Sequence, residues 1–190
     1  AVVTFDPHPL TVVSTEKVQL LTTTEEKMDL LEAFDLDMVL VIPFTKTVAG
    51  IDARAFLKKE LLDKIGMRGF VTGINHTFGR KQSGTLDFLK KQGSGNAFQV
   101  IEVPPLIEGQ GMVSSTRIRQ CIMNGDMPAA ERLLGYRYQL RGVVGRGLNL
   151  GKRLGFPTAN IRVKDPSKLV PPNGVYAVTA VFEKEKYFTK

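Results

Sequence analysis

Residues 38–73, MVLVIPFTKTVAGIDARAFLKKELLDKIGMRGFVTG, determine the fold class of this chain. A continuous apolar run over residues 38–42 is typical of a strand in a parallel sheet. Asp52 can cap a helix that follows, and Gly66 can end it. Residues 70–72, Phe-Val-Thr, then form the next strand. A strand, a helix and another strand in this order predict an α/β fold with a parallel sheet.

The same alternation continues on both sides of this stretch. A helix is predicted over about residues 24–34, because Thr22 and Glu25 have the spacing of a capping box. Ligands of such sheets bind beyond the carboxyl ends of the strands, where the most polar motifs of this sequence lie. The other predicted strands and helices cover residues 1–5, 86–91, 98–103, 114–124 and the stretch from 126 onward.

Beyond the first 136 residues the pattern changes to strands alone. Residues 138–144 alternate with a period of two, and residues 158–161 and 175–182 are further strand candidates. This pattern predicts an α/β domain over 1–136 and the start of an all-β barrel domain over 137–190. A barrel needs more strands than such a short stretch supplies, so we expect part of the second domain to be missing.

Composition and charge narrow the class of protein. Hydrophobic residues make up 43% of the chain, which argues against disorder, and no apolar run reaches the ~18 residues of a membrane helix. The N-terminus lacks the basic region of a signal peptide, and the single Cys121 allows no internal disulfide, so a cytoplasmic protein is expected. Residues 137–190 carry 11 Lys and Arg against 3 Asp and Glu. Such a segment attracts phosphate-bearing ligands or nucleic acid, although a solvated basic surface is the plainer explanation.

Two loops at predicted strand exits have the residue types of a binding site. In Phe5-Asp6-Pro7-His8-Pro9 the two prolines stiffen the backbone around the imidazole, as a planar ligand would require. The loop over 73–84 combines glycines with Asn75, His76, Phe78 and two cations, and can bind a phosphate or the edge of a heterocycle. A rigid strand-exit turn and an ordinary polar loop are the alternatives.

The segment Ser114-Ser115-Thr116-Arg117-Ile118-Arg119 begins a predicted helix, capped by Ser114 or Ser115. Its hydroxyls lie beside unpaired backbone N–H groups, and Arg119 follows Ser115 by one helical turn. Together they predict an anion site for a polyphosphate. The alternative is a capped helix followed by solvated arginines.

The segment over 151–160, GKRLGFPTAN, combines glycines with cations and two oxygen donors. The glycines allow close approach of phosphates, and Lys152 and Arg153 supply positive charge. Thr158 and Asn160 are two apart, so on a strand both face one side, where a hydroxyl and an amide oxygen suit Mg²⁺. The alternative is a turn in a basic domain.

These four motifs, in this order, resemble the bacterial bifunctional riboflavin kinase/FMN adenylyltransferase (FAD synthetase) family. The resemblance implies a Rossmann-like nucleotidyltransferase domain over 1–136, lacking its N-terminal part, and a riboflavin kinase domain over 137–190, lacking its C-terminal part. In the nucleotidyltransferase domain it implies flavin binding by Pro7, His8, Pro9, Asn75 and Phe78, and ATP binding by Ser115, Thr116 and Arg119. In the kinase domain it implies ATP binding by Gly151, Lys152, Gly155, Thr158 and Asn160, with Thr158 and Asn160 also holding Mg²⁺.

The sequence departs from the family pattern at three places. No His-x-Gly-His element is present, and neither Glu183 nor Glu185 lies in a motif that matches the kinase glutamate. Asn75 and His76 stand where the family often has an acidic residue followed by an aromatic one. We therefore identify no catalytic residue, and residues 1–190 alone are expected to turn over neither substrate.

The resemblance implies ATP-dependent phosphorylation of riboflavin to FMN and adenylylation of FMN to FAD. Mg²⁺ is the implied cofactor, and ATP, riboflavin, FMN and FAD are substrates or products. Nucleic acid and membrane are not expected partners, and the oligomeric state is open. Two other classes compete: a basic nucleic-acid-binding protein, and a flavin- or nucleotide-binding module without catalysis.

Overall fold

The computed structural model describes residues 1–15, 17–96, 98–147, 155–156, 158–182 and 185–189. Its strands are β1 (Val2–Asp6), β2 (Val39–Pro43), β3 (Gly69–Gly73), β4 (Gln99–Val103), β5 (Ile107–Glu108), β6 (Gly111–Met112), β7 (Gly142–Gly145), β8 (Asn160–Val163), β9 (Val178–Phe182) and β10 (Glu185–Thr189). Its α-helices are α1 (Pro9–Val13), α2 (Thr24–Glu32), α3 (Lys46–Ala49), α4 (Ala53–Phe56), α5 (Leu86–Asn96), α6 (Ser115–Met123) and α7 (Met127–Leu134). Helix α4 continues as a π-helix over Leu57–Lys64, and Arg80–Gln82 form a 3₁₀ turn.

The chain divides into two compact units. Unit 1 contains Ala1–Val113 and Asp165–Ser167, and unit 2 contains Ser114–Lys164 and Lys168–Lys190. In unit 1, β1 pairs in parallel with β2, and β3 pairs in parallel with β4. The predicted α/β class with parallel strands is therefore confirmed. Among the described residues, no helix is long and apolar enough to cross a membrane.

The caps of the helices explain where the elements begin. Asp52 accepts hydrogen bonds from the N–H groups of Arg54 and Ala55, so the helix starts where the sequence predicts. The capping box of α2, however, joins Thr23 and Glu26 rather than Thr22 and Glu25. Both pairs have the required spacing in the run TTTEE. In the register adopted, Glu26 is buried and bonded to the Thr23 N–H.

The core of unit 1 forms around α4 and the π-helix that continues it. Its buried members are Phe56, Leu57, Leu61, Leu89 and Phe98. Side chains of β1, β2, β3 and β4 pack against this cluster, so the helix covers the two parallel strand pairs. Removing a fully buried leucine such as Leu57 would cost about 2–5 kcal/mol, because the cavity it leaves refills only partly.

Helix α5 is longer than predicted, extending to Asn96 through a glycine-rich end. The prediction ended at residue 91 because glycine is a poor helix former. Gly93 has a packing reason to be there: a Cβ at this position would lie 2.9 Å from the carbonyl oxygen of Phe98. Close approach of β4 to the helix requires a residue without a side chain.

Unit 2 begins with a helical hairpin. Ile118 and Ile122 are one turn apart on α6, and Ala130 and Leu133 lie on α7; all four are buried. Gly135 ends α7 with a positive φ of 77°, the left-handed conformation that glycine adopts without strain. The remainder of the unit consists of the antiparallel pairs β7–β8 and β9–β10.

Several predicted strands in unit 2 begin later than expected. The strand predicted over 138–144 is restricted to Gly142–Gly145, and that over 175–182 to Val178–Phe182. The strand containing Asn160 begins at this residue rather than at Thr158. The predicted domain boundary between residues 136 and 137 stays a prediction.

Candidate functional site

A cavity of about 150 Å³ lies at the carboxyl end of β1 in unit 1. Strand β1 delivers Phe5 and Asp6 to its wall, and the turn after the strand adds Pro7 and His8. This is the edge at which parallel sheets bind ligands. The other lining residues are Thr11, Leu20, Thr22, Thr24, Lys27, Asp165 and Ser167.

The polar side of the cavity is held by α2. The Thr24 hydroxyl donates to the Asp6 carboxylate over 2.5 Å, and the Lys27 ammonium donates to the Thr4 hydroxyl over 3.0 Å. Half-burial lowers the pKa of Lys27 below its ordinary value, and the negative charge of Asp6 partly opposes this shift. The cavity is thus lined by a carboxylate, by an ammonium with a lowered pKa and by neutral hydroxyls. Sequence reasoning did not select Thr24 or Lys27, because a lysine in a predicted amphipathic helix carries no motif.

His8 both lines the cavity and begins helix α1. Its Nδ1 accepts a hydrogen bond from the Leu10 N–H over 3.2 Å, and its carbonyl accepts from the Thr11 hydroxyl over 2.7 Å. The imidazole is therefore held by its own loop, with Nδ1 as the hydrogen-bond acceptor. Pro7 shares the wall, whereas Pro9 opens α1 and is not among the lining residues.

Part of the cavity wall comes from far along the chain. The Leu20 N–H donates to the Ser167 carbonyl over 2.7 Å, and the Asp165 carboxylate accepts from the Ser167 N–H over 2.8 Å. These bonds hold residues 165–167 as a tight turn against the loop before α2. Contacts between residues so distant in sequence leave no periodic signal, so this wall was not predicted.

Asn75 and Phe78 are not among the lining residues of the cavity. Asn75 is exposed in the turn after β3. The half-buried Phe78 packs against the rings of Phe56, Phe70 and Phe88, with centroids 5.8, 5.9 and 6.1 Å away. Its main chain exchanges two hydrogen bonds with Gly84, which closes the loop. The surroundings of Phe78 are thus those of a core residue that anchors the loop.

His76 lies in the same loop and stacks on this aromatic cluster. Its ring centroid is 6.2 Å from that of Phe78 and 6.1 Å from that of Phe70. His76 is exposed, but the neighbouring rings desolvate one side of the imidazole and lower its pKa below the ordinary value. The neutral imidazole is therefore the favoured form near pH 7.

Helix α6, in unit 2, begins where the sequence predicts a helix. Ser114 is the N-cap, with its hydroxyl accepting from the Arg117 N–H over 3.3 Å. Ser115 and Thr116 are exposed in the first turn, and Arg119 is half-buried one turn further on. Hydroxyls and helix N–H groups therefore share this helix end, with Arg119 one turn further along the helix, a combination that suits an anion.

The basic motif of unit 2 is described in part. Gly151 and Lys152 lie outside the described residues. Gly155 has a positive φ of 81°, and Thr158 and Asn160 are exposed. Asn160 is the first residue of β8 and pairs with Gly145, whereas Thr158 precedes the strand. Two residues share a face of a strand only if both lie in it, and Thr158 does not, so the joint role of the pair stays a prediction.

The side chain of Asn160 lies directly against the main chain of Gly147. A Cβ built on Gly147 would overlap the amide nitrogen, and would lie 2.5 Å from the amide carbon and 2.7 Å from its oxygen. The amide therefore occupies the volume of an absent side chain.

Comparison with known families gives two matches in tandem. The FAD synthetase family model matches residues 1–117, and the riboflavin kinase model matches residues 134–189. The chain belongs to the FAD synthetase family. The loops over 5–9 and 73–84 lie in the first match, and the GFPTAN motif lies in the second.

Curated relatives of the family align with almost the whole chain. Bifunctional riboflavin kinase/FMN adenylyltransferases from Listeria monocytogenes, Bacillus subtilis and Escherichia coli K12 are 37%, 33% and 32% identical to it. The alignments cover 94%, 98% and 97% of this chain, but only 56%, 59% and 59% of the relatives. The chain thus spans somewhat more than half the length of the curated relatives it matches.

A solved structure has a similar fold. The crystal structure of a macrolide-efflux protein from Streptococcus pneumoniae superposes with a TM-score of 0.85 at 28% identity. The superposition covers 98% of this chain and 60% of that protein.

Proposed function

We propose that this chain serves FAD synthesis through two ATP-dependent transfers: phosphorylation of riboflavin to FMN, and adenylylation of FMN to FAD. The observation that carries the proposal is the tandem match to FAD synthetase and riboflavin kinase on one chain. Each match contains a motif with the chemistry that its transfer needs. Both transfers depend on positioning and on neutralising phosphate charge, which basic side chains and helix N-termini supply.

The unit 1 cavity is the proposed flavin site of the adenylyltransferase. Pro7 and His8 offer rigid, flat walls to one face of the isoalloxazine, and Asp6 and the threonine hydroxyls offer hydrogen-bond partners to its polar edge. A volume of about 150 Å³ is small beside the ~300–1,000 Å³ of pockets for drug-sized ligands. It therefore suits part of the ring system, with the ribityl phosphate outside. Pro9, Asn75 and Phe78 remain proposed contacts outside this cavity.

The start of α6 is the proposed site for the ATP phosphates of the adenylyl transfer. Ser115 and Thr116 present hydroxyls and N–H groups in the first turn, and Arg119 adds a guanidinium. Negative charge at this end of a nine-residue helix is favoured by the helix dipole. Arg119 is proposed to bind phosphate oxygens and orient the chain of phosphates for transfer.

The GFPTAN segment is the proposed Mg·ATP site of the kinase. Mg²⁺ prefers hard oxygen ligands, keeps several waters and bridges phosphates. The exposed Thr158 hydroxyl and Asn160 amide oxygen fit this preference. Mg²⁺ when bound would neutralise phosphate charge. Thr158 and Asn160 are proposed to hold it against the nucleotide, with Gly151, Lys152 and Gly155 proposed to bind the phosphates.

The proposed setting is the cytoplasm, where ATP is available and a lone thiol such as Cys121 stays reduced. The proposed partners are small molecules, without nucleic acid or membrane. A basic nucleic-acid-binding protein would instead show strong, salt-sensitive RNA binding that neither ATP nor flavin displaces.

Calorimetric titration tests the proposal directly. FMN and Mg·ATP are titrated separately into the intact protein, and riboflavin or FMN is then incubated with ATP and the products are separated by chromatography. The proposal predicts saturable binding of both ligands and formation of FMN and FAD. Absence of both binding and turnover would overturn it.

A further inference from the structure

We propose that Gly147 positions the side chain of Asn160 for Mg·ATP, an inference that rests on the proposed riboflavin kinase function. The amide of Asn160 lies where a Cβ on residue 147 would be, with its oxygen 2.7 Å from that point. Real Cβ contacts are not this short. Any side chain at residue 147 therefore displaces the amide from this position.

The backbone at Gly147 does not itself demand glycine. Its φ lies outside the positive range, unlike that of Gly155, which is 81°. Alanine at residue 147 would therefore be compatible with the main chain, and its cost would fall on Asn160. This separates a role in placing a side chain from the usual role of glycine in an unusual turn.

The amide is flexible at its far end, so it can yield to a Cβ by rotating. Such a rotation would move the amide oxygen away from its present position beside Gly147. A side chain that binds a ligand must be held within a fraction of an ångström of its productive geometry. Displacing the Asn160 amide therefore weakens ligand binding. Gly147 is thus a positioning residue, which acts on the ligand through Asn160.

The same stretch supplies two matched controls. At Gly145, two residues earlier, the nearest atom to an added Cβ is a guanidinium nitrogen of Arg162 at 3.7 Å, an ordinary contact. At Gly142 an added Cβ would lie 2.5 Å from the main-chain carbonyl oxygen of Arg162. Gly145→Ala therefore measures the effect of replacing a glycine by alanine where the Cβ meets no close neighbour. Gly142→Ala measures the effect of disturbing the β7–β8 pairing without a direct clash with Asn160.

The experiment compares these variants in the intact protein by two measurements. The first is the NMR signal pair of the Asn160 side-chain NH₂, identified by its loss in Asn160→Ala and followed without ligand. The second is the affinity for Mg·ATP at the kinase site, measured by calorimetry with Arg119→Ala present in every variant to weaken the other nucleotide site. Thermal melts identify variants that are damaged in folding.

Gly147→Ala is expected to shift the Asn160 signals and to weaken Mg·ATP about tenfold, the equivalent of one displaced polar contact. Gly145→Ala is expected to do neither. In the Asn160→Ala background, Gly147→Ala should have no further effect, because its action passes through the missing amide.

Equal signals and affinities in Gly147→Ala and Gly145→Ala would overturn the positioning role, as would additional weakening by Gly147→Ala when Asn160 is absent. Failure of the proposed function is recognised separately, since Asn160→Ala would then bind Mg·ATP normally. In that case the NMR comparison still decides whether Gly147 places the amide.

Discussion

Lys27, which lines the cavity of unit 1, donates to the hydroxyl of Thr4 over 3.0 Å, and this bond holds its ammonium beside β1. A neutral hydroxyl relieves little of the cost of burying a positive charge. The Asp6 carboxylate supplies the attraction that limits the fall in the pKa of Lys27. The cavity is therefore lined by a lysine whose pKa is lowered by burial and partly restored by one neighbouring acid.

Asp6→Asn should lower the pKa of Lys27 further, because the opposing charge is removed while burial persists. The pKa can be followed by NMR on reductively ¹³C-methylated lysines, with Lys27→Arg identifying the signal. Thr24→Val is the matched control, since it removes a hydrogen bond to Asp6 but leaves the carboxylate charged. An unchanged Lys27 titration in Asp6→Asn would show that Asp6 does not act on it.

Protonation of His76 should destabilise the protein as the pH falls. The pKa of His76 is lowered in the folded state, so the unfolded chain binds the proton more tightly. The contribution of the neutral ring is complete above pH ~6.5, the ordinary value, and is lost as the pH falls towards the folded pKa. Urea midpoints at pH 7.5 and 5.5 should therefore differ less in His76→Gln than in the unaltered protein. His8→Gln, which removes the other histidine, should keep the larger difference.

Phe78 should contribute to stability as a core residue. Its ring contacts three phenylalanines and is half-buried, so Phe78→Ala should cost about 2–3 kcal/mol, below the ~3–5 of a fully buried ring. Phe34, which is 69% exposed, provides the control, and Phe34→Ala should change stability by less than about 0.5 kcal/mol. Chemical unfolding measures both. Equal losses of unfolding free energy in the two variants would show that Phe78 does not act as a core residue.

The sequence predicts elements well where a local rule decides them. Asp52 begins its helix because a carboxylate caps free N–H groups, and Gly125 ends α6 because its φ is positive, 76°. Parallel pairing of β1 with β2 follows from the alternation of strands and helices. These rules depend on a few neighbouring residues.

Prediction is weaker where two registers are equal or where distant residues meet. Thr22 and Thr23 both offer a capping box, and only the burial of Glu26 decides between them. The wall formed by Asp165 and Ser167 depends on a tertiary contact with Leu20 that no local pattern encodes. At the candidate sites, motifs therefore identify loops, whereas a wall that distant residues complete is not predicted.

Arg119→Ala should weaken the adenylyl transfer. A charged hydrogen bond contributes ~1.5–3 kcal/mol, so we expect a loss of roughly ten- to a hundredfold in ATP affinity or rate. Conversion of FMN to FAD by the intact protein is the measurement. Arg132→Ala removes the same charge from the exposed face of α7 in the same unit and should have little effect. Normal FAD formation by Arg119→Ala would exclude the proposed phosphate contact.

Substitution of Thr158 or Asn160 should remove one of the two proposed activities and leave the other. Asn160→Leu keeps a similar volume without the amide oxygen, and Thr158→Val removes only the hydroxyl. Both side chains are exposed, so neither change leaves a cavity in the core. Each variant should therefore melt normally, yet lose phosphorylation of riboflavin because an oxygen ligand for Mg·ATP is absent.

Adenylylation of FMN should survive in both variants, because its proposed flavin and phosphate sites use neither residue. Measuring both reactions on each variant gives the decisive comparison, with Ile161→Val as a control for a mild change on the same strand, where Ile161 is 60% exposed. Loss of both activities together would show that the two transfers share residues. Persistent kinase activity would show that neither oxygen is needed, and Mg·ATP would then have to be held by other residues of the basic segment.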